Sequence, residues 1–297
     1  MQRVDIVTPA YNAAHTIGET IESVVAQTHT DWRLWIVDDG SADNTAEIVE
    51  GYLDDPRVQL LRQPNRGASH ARNLGIERSC GPFIAFLDAD DLWDPRFLEC
   101  CVAVLDSNTE AGMVWCDMHV IGDGSGTYRG DRKPVHGPKE STLDAIYSGV
   151  TFLPSCCLFR HRFFEQGLRW LQECSPMEDM PIFLHVAAAS AVAYLPEKLS
   201  HYRVHTGSST SSRGAIGRNF RSMIYTFRML YRKYHRAIPR RSYRQRLWWI
   251  YHYAADSLVC AKQPALTVLL RALCYRPLAK STWKVAAHGL LRRVWLR

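Results

Sequence analysis

Three carboxylates within four positions, Asp88, Asp90 and Asp91, follow an apolar, β-favouring run, Phe83-Ile84-Ala85-Phe86-Leu87. A buried strand emerging at the mouth of a sheet has this pattern. Side chains alternate along extended chain, so Asp88 and Asp90 are expected on the same side. Such a pair suits a hard divalent cation, because Mg²⁺ or Mn²⁺ binds one or two carboxylates together with substrate phosphates. The same residues also fit an acidic turn ahead of a helix, with Asp94 as N-cap and Pro95 at the first helical position. A second acidic pair, Glu178-Asp179, precedes an apolar run from Ile182 to Ala189. Negative charge is favoured at the first turn of a helix there, so capping alone would account for one of the two acids.

The segments that must carry these residues alternate in type. Val4-Asp5-Ile6-Val7-Thr8, Trp32 to Val37 and Arg57 to Leu61 read as strands. Between them, a helix is expected from a capping box at Thr16 and Glu19 to about Gln27, another from Asn44 to Leu53, and a third from Gly67 to Arg78. This alternation predicts an α/β fold with a mostly parallel sheet and helices on both faces. Ligands then bind outside the carboxyl ends of the strands, which gathers Tyr11, Asp38-Asp39 and Asp88/Asp90 around one cleft. Beyond Asp94 the pattern changes, with further strands at Gly112 to Val120, Ser155 to Phe159 and Leu199 to His205. Residues Thr127 to Glu140 show no periodicity.

The set of motifs, in this order, resembles family 2 of the inverting nucleotide-sugar glycosyltransferases, which have the GT-A fold. Those motifs are Val7-Thr8-Pro9-Ala10-Tyr11-Asn12, Val37-Asp38-Asp39-Gly40-Ser41, Asn65 to Asn73, Leu87 to Asp91, Glu178-Asp179, and Tyr202-Arg203-Val204-His205. The likeness spans roughly residues 3 to 212 and implies a catalytic domain over 1–212. It implies that Thr8, Pro9 and Tyr11 line the base pocket, Tyr11 stacking on the base, and that Asp39 accepts from base or ribose. Arg72 and Asn73, early in the third helix, would face the diphosphate, unless Arg72 simply pairs with an acid. Asp90 would hold Mg²⁺ or Mn²⁺, Asp88 would touch the ribose or a metal-bound water, and His205 would complete the metal site or contact the diphosphate. Asp179 would be the general base that deprotonates the acceptor, with Glu178 holding the loop or the acceptor. The donor implied is a nucleoside diphosphate sugar, most simply a UDP-sugar. The acceptor implied is a saccharide or a lipid-linked chain of cell-surface polysaccharide or glycolipid synthesis.

Charge divides the chain. From Arg213 onward nineteen Lys and Arg face one acid, Asp256, a net +18, whereas the residues before it sum to −12. Phe220, Ile224, Phe227, Tyr231 and Tyr234 recur at helical spacing, and helices are expected over about 243–261, 264–274 and 281–295. This basic, aromatic-rich region, 213–297, fits a helical appendage, an anionic membrane surface as partner, or both. Nucleic acid is not expected, since no recognised motif for it accompanies the charge. No apolar run approaches the roughly 20 residues that cross a bilayer, and the first residues do not read as a signal peptide. Nine cysteines without Cys-x-x-Cys spacing predict reduced thiols and a cytoplasmic setting, peripheral to the membrane. A nucleotidyltransferase would share the α/β domain and paired acids but would carry a Gly-rich basic loop where Pro9-Ala10-Tyr11-Asn12 stands. A non-catalytic nucleotide-sugar-binding protein would lack a base.

Overall fold

β-Branched and aromatic residues between Gly, Pro and Asp punctuation build the strands. In the computed structural model, eight of them form one sheet among the described residues. The structure describes residues 2–122, 135–148, 153–204, 213–260, 265–276, 279–283 and 285. The alternating half contains β1 (Val4–Ala10), α1 (Ile17–Val25), β2 (Trp32–Asp38), α2 (Thr45–Glu50), β3 (Val58–Arg62), α3 (Ala68–Arg78) and β4 (Phe83–Phe86). Its strands are parallel in the order β3-β2-β1-β4. Next come β5 (Leu92–Trp93), α4 (Phe97–Ser107), β6 (Ala111–Gly122), α5 (Lys139–Ser148), β7 (Cys157–Arg160), α6 (Arg162–Glu165), α7 (Met180–Ala189) and β8 (Ala191–Val204). The sheet continues β7-β6-β8-β5: β7 is antiparallel to β4 and β6, β5 is antiparallel to β8, and β6 is parallel to β8.

The chain forms two compact units. The first contains Met1–Thr142, Val150–Gln172 and Glu178–Thr206, and the second Leu143–Gly149, Glu173–Met177 and Gly207–Arg297. In the first, the Phe86 ring meets Phe159, Phe164 and Trp170 at 6.0, 5.4 and 5.0 Å. Burying each of these rings contributes about 2 to 3 kcal/mol, so the end of β4 is firmly fixed where the acidic turn begins. The second unit contains α8 (Arg213–Tyr234), α9 (Arg240–Cys260) and α10 (Leu266–Tyr275), with α9 packed on both others. There Met223, Phe227 and Leu230 are buried on one face of α8, and the guanidinium of Arg246 lies 4.3 Å from the centre of the Phe227 ring. All nine cysteines are free thiols, as expected.

Several local expectations change. The capping box does not form: Thr16 makes no side-chain cap, and Glu19 instead pairs with Arg203 at 2.5 Å. Helix α4 starts at Phe97, two residues after the expected proline, because Pro95 and Arg96 form a turn ahead of it, closed by the Phe97 N–H donating to the Asp94 carbonyl at 3.0 Å. Asp94 still serves that helix, accepting from the Arg96 N–H at 3.0 Å. The strand expected from Leu199 begins much earlier, at Ala191, and pairs with β6 through register shifts that accommodate Pro196. The irregular segment 127–140 falls largely outside the described residues, as does most of the helix expected over 281–295.

Candidate active site

The acidic motif is a turn. β4 ends at Phe86, so strand alternation does not place Asp88 and Asp90; a bond from the Asp91 N–H to the Asp88 carbonyl, 3.1 Å, folds them into a tight corner. Asp91 is buried and its carboxyl accepts from the Arg203 N–H at 3.0 Å. Burial, then the charges of Asp88 and Asp90, push this carboxyl well above the usual carboxylate range. Asp91 therefore supports the corner and leaves Asp88 and Asp90, both half-buried, as its outward acids. Arg203 staples the corner a second time, its Nε donating to the Asp90 carbonyl at 2.9 Å. The Thr20 hydroxyl lies 3.0 Å from the carbonyls of both Ala89 and Asp91.

Arg72, from α3, is buried, and its Nη2 donates to Oδ1 of Asp88 at 2.5 Å. Burial opposes the guanidinium charge, but Asp88 in contact and Glu178 and Asp179 nearby outweigh it and hold the group above its ordinary pKa. Arg72 thus links the acidic corner to the second acidic pair electrostatically. Its guanidinium sits 4.5 Å from the centre of the Trp170 ring. Asn73 fixes Trp170 from the next position of the helix: its amide nitrogen donates to the Trp170 carbonyl and its oxygen accepts from the Trp170 N–H, both at 2.9 Å. The Asn73 side chain is therefore committed to this brace. Sequence reasoning missed Trp170, whose tie to Asn73 spans 97 residues.

Glu178 and Asp179 immediately precede α7, and the Asp179 side chain makes no capping bond there. Oδ1 of Asp179 and Oε2 of Glu178 are buried without a hydrogen-bond partner among the described residues. Asp179 is half-buried, with its Oδ1 covered. Burial first and the Glu178 charge second raise the Asp179 carboxyl to about 7, against the nearby Met180 N–H and Arg72. A carboxylate at that pKa with an unsatisfied oxygen is suited to accepting a proton near neutral pH.

At the carboxyl end of β1, Thr8 has a buried hydroxyl without a hydrogen-bond partner among the described residues, Pro9 is half-buried, and Tyr11 is 52% exposed. Asn12 joins the neighbouring loops, its N–H donating to the Ser41 hydroxyl at 3.0 Å and its side-chain oxygen accepting from the Ala42 N–H at 2.8 Å. Asp39 accepts from the Gln63 amide at 2.6 Å and from the N–H groups of Arg66 and Gly67 at 2.8 Å. Three of the roughly four acceptor positions of this carboxylate are thus filled by its own chain, which leaves about one for a ligand. Gly67 precedes α3 at φ +88, a left-handed conformation that favours glycine. His205 lies outside the described residues.

The glycosyl transferase family 2 model matches residues 5–168. An Escherichia coli UDP-Glc:α-D-GlcNAc-diphosphoundecaprenol β-1,3-glucosyltransferase is 42% identical over 107 residues, 35% of this chain and 42% of that protein. The chain spans about a third of an uncharacterized glycosyltransferase of Rickettsia felis, 27% identical over 220 residues, covering 70% of this chain and 34% of the relative. Among solved structures, S. aureus TarS in complex with UDP-GlcNAc superposes with a TM-score of 0.64 at 16% identity, over 99% of this chain and 92% of that one. The mannosyltransferase PcManGT from Pyrobaculum calidifontis, in complex with GDP-Man and Mn²⁺, gives 0.61 at 17% identity, over 100% and 88%. At such identities the structural likeness speaks for the fold, which is of the GT-A type. With a family model covering more than half of its length, the chain belongs to glycosyl transferase family 2.

Proposed function

We propose that the chain moves a sugar from a nucleoside diphosphate donor, a UDP-sugar, to a hydroxyl of a saccharide or lipid-linked acceptor, with inversion at the anomeric carbon. The observation that carries this reading is Asp179, raised to about 7 with an unpartnered oxygen and tied through Arg72 to the Asp88 corner. Asp179 takes the proton from the acceptor hydroxyl as its oxygen bonds to the anomeric carbon, while the bond to the diphosphate oxygen on the opposite face breaks. Glu178 keeps the base poised by its charge. Exposed Tyr11 offers a face to the base, and the remaining acceptor position of Asp39 suits a ribose or base donor. Names of relatives support the substrate classes: the E. coli relative is named for a diphosphoundecaprenol acceptor, and TarS was solved with UDP-GlcNAc.

The acidic corner fits a divalent ion that draws most ligands from substrate. No group of three or more His, Cys, Asp or Glu among the described residues would hold an ion unaided. Asp88 and Asp90 supply hard oxygen donors on one turn, and the second oxygen of Asp88 accepts no hydrogen bond among the described residues. Mg²⁺ and Mn²⁺ commonly bind in this way, through one or two carboxylates and phosphate. Asp90 and Asp88 would hold the cation, which when bound neutralises charge gathering on the departing diphosphate.

The charge of residues 213–297 supports attachment to the anionic cytoplasmic face of a membrane. No helix among the described residues is long and apolar enough to cross a membrane. Thermal unfolding with UDP-, GDP- and other nucleotide sugars, each with and without Mn²⁺, tests the donor assignment. A donor at 100 times its Kd adds about 2.7 kcal/mol. Absence of any shift with every nucleotide sugar and with UDP itself would remove it.

A further inference from the structure

The second unit exposes a face that no helix among the described residues covers. Along α8, Arg221, Tyr225, Arg228 and Arg232 recur at intervals of three and four, which puts them in one stripe opposite the buried Met223, Phe227 and Leu230. This stripe borders an open groove of about 720 Å³. A second recess, about 340 Å³, opens beside it where α8, α9 and α10 meet; Arg221 and Arg271 flank it, with Ile224 and Val268 as its apolar floor. Arg221, Arg232 and Arg271 form no ion pair among the described residues, and α8 and α10 contain no acid. On α10, Leu266 is 61% and Leu270, the residue before Arg271, 53% exposed, and Tyr225 on α8 is 52% exposed.

We propose that α8 and α10 form a docking face for an anionic phospholipid bilayer, in which Arg221 and Arg271 receive lipid phosphates and Leu266, Leu270 and Tyr225 enter the interface. The inference deepens the membrane reading given above by assigning it to a face. Guanidinium groups without an acid partner among the described residues, Arg271 touching the Tyr251 hydroxyl at 3.5 Å, would alone serve any polyanion. The exposed leucines decide between partners: water gains nothing from them, a nucleic acid backbone offers them no apolar surface, and the acyl boundary of a bilayer does. A second copy of the same face brings arginine against arginine, which like-charge repulsion opposes.

Co-sedimentation of the full chain with vesicles of phosphatidylcholine alone, or with about one quarter phosphatidylglycerol, tests the proposal. Binding is expected only to the anionic vesicles. The double variant Arg221→Ala/Arg271→Ala is expected to bind them about 20- to 30-fold more weakly, each surface arginine being worth about 1 kcal/mol. Leu266→Ser/Leu270→Ser is expected to weaken binding while leaving its salt dependence intact. Each variant is also melted with UDP-sugar and Mn²⁺; an unchanged donor shift shows an intact fold. Equal binding to neutral vesicles, unchanged binding by the arginine variant, stronger binding to a single-stranded oligonucleotide at equal phosphate, or arginine-dependent self-association in place of vesicle binding would each overturn the docking face. Vesicle binding by a protein that shows no donor shift would support the face and remove the donor assignment instead.

Discussion

A carboxyl that titrates near 7 in the folded chain leaves a signature in both rate and stability. The ordinary aspartate value is 3.8, and Asp179 is raised to about 7. Between these values the folded chain holds a proton that the unfolded chain has released, so stability falls as pH rises through the interval. Asp179→Asn imitates the protonated form and removes the dependence. The variant should be more stable than the parent at pH 8 by about 1 to 3 kcal/mol, after allowance for partial exposure, and equal to it near pH 4. Turnover should fall by about 10²- to 10⁴-fold, and the parent's activity should rise with pH through about 7. Urea unfolding at the two pH values and a pH–rate profile read these effects; an Asn variant whose stability keeps the parent's pH slope would refute the assignment. The identity of this acid was legible in the sequence, as one of two carboxylates ahead of an apolar helix. Its poise was not, because the burial that raises it first, ahead of the adjacent Glu178 charge, depends on packing between elements rather than on the local sequence.

At the scale of elements, the site depends on braces between segments. Asn73 secures both main-chain groups of Trp170, and Trp170 in turn carries Arg72 on its face. Asn73→Ala removes two hydrogen bonds and should cost about 1 to 3 kcal/mol. It should also lower kcat through the displaced Arg72, with the pH–rate midpoint moving upward as the Asp179 carboxyl loses a neighbouring positive charge. Loss of stability with an unmoved midpoint would make the brace purely structural. Arg203 plays the corresponding part for the acidic corner, holding the Asp90 carbonyl and the Asp91 carboxyl from the end of β8. Arg203→Ala removes the side-chain bond to the Asp90 carbonyl while the main-chain bond to Asp91 stays, and should raise the Mn²⁺ concentration needed for half-maximal activity by about tenfold, of the order expected when support for a metal-ligating loop is removed; an unaltered requirement would show the corner rigid without it. The parallel half of the sheet could be read from the alternation of strands and helices, because each strand there is bounded by its own punctuation. The early part of β8 escaped notice because Pro196 interrupts its pattern, and β5, with two residues, is too short for any periodicity. The capping box at Thr16 misled for a related reason: Glu19 has a distant and stronger partner in Arg203.

For the molecule as a whole, charge and chemistry are separated along the chain. The acids at the candidate site belong to a part whose residues sum to −12, and the basic helices to a part at +18. These two sets respond to salt differently. Raising ionic strength from about 0.1 M to 1 M shortens the screening length from about 10 Å to about 3 Å, which weakens interactions of exposed charges far more than those of buried ones. Arg221, Arg232 and Arg271 are exposed, whereas Arg72 is buried and in contact with Asp88. Vesicle binding should therefore fall by orders of magnitude across this range, while hydrolysis of a soluble UDP-sugar in the absence of membranes should change by no more than about threefold. Parallel measurement of both on one preparation decides the matter. A steep loss of hydrolysis with salt would mean that exposed charge steers the donor into the site, and salt-resistant vesicle binding would mean that the leucines, rather than the arginines, carry the attachment.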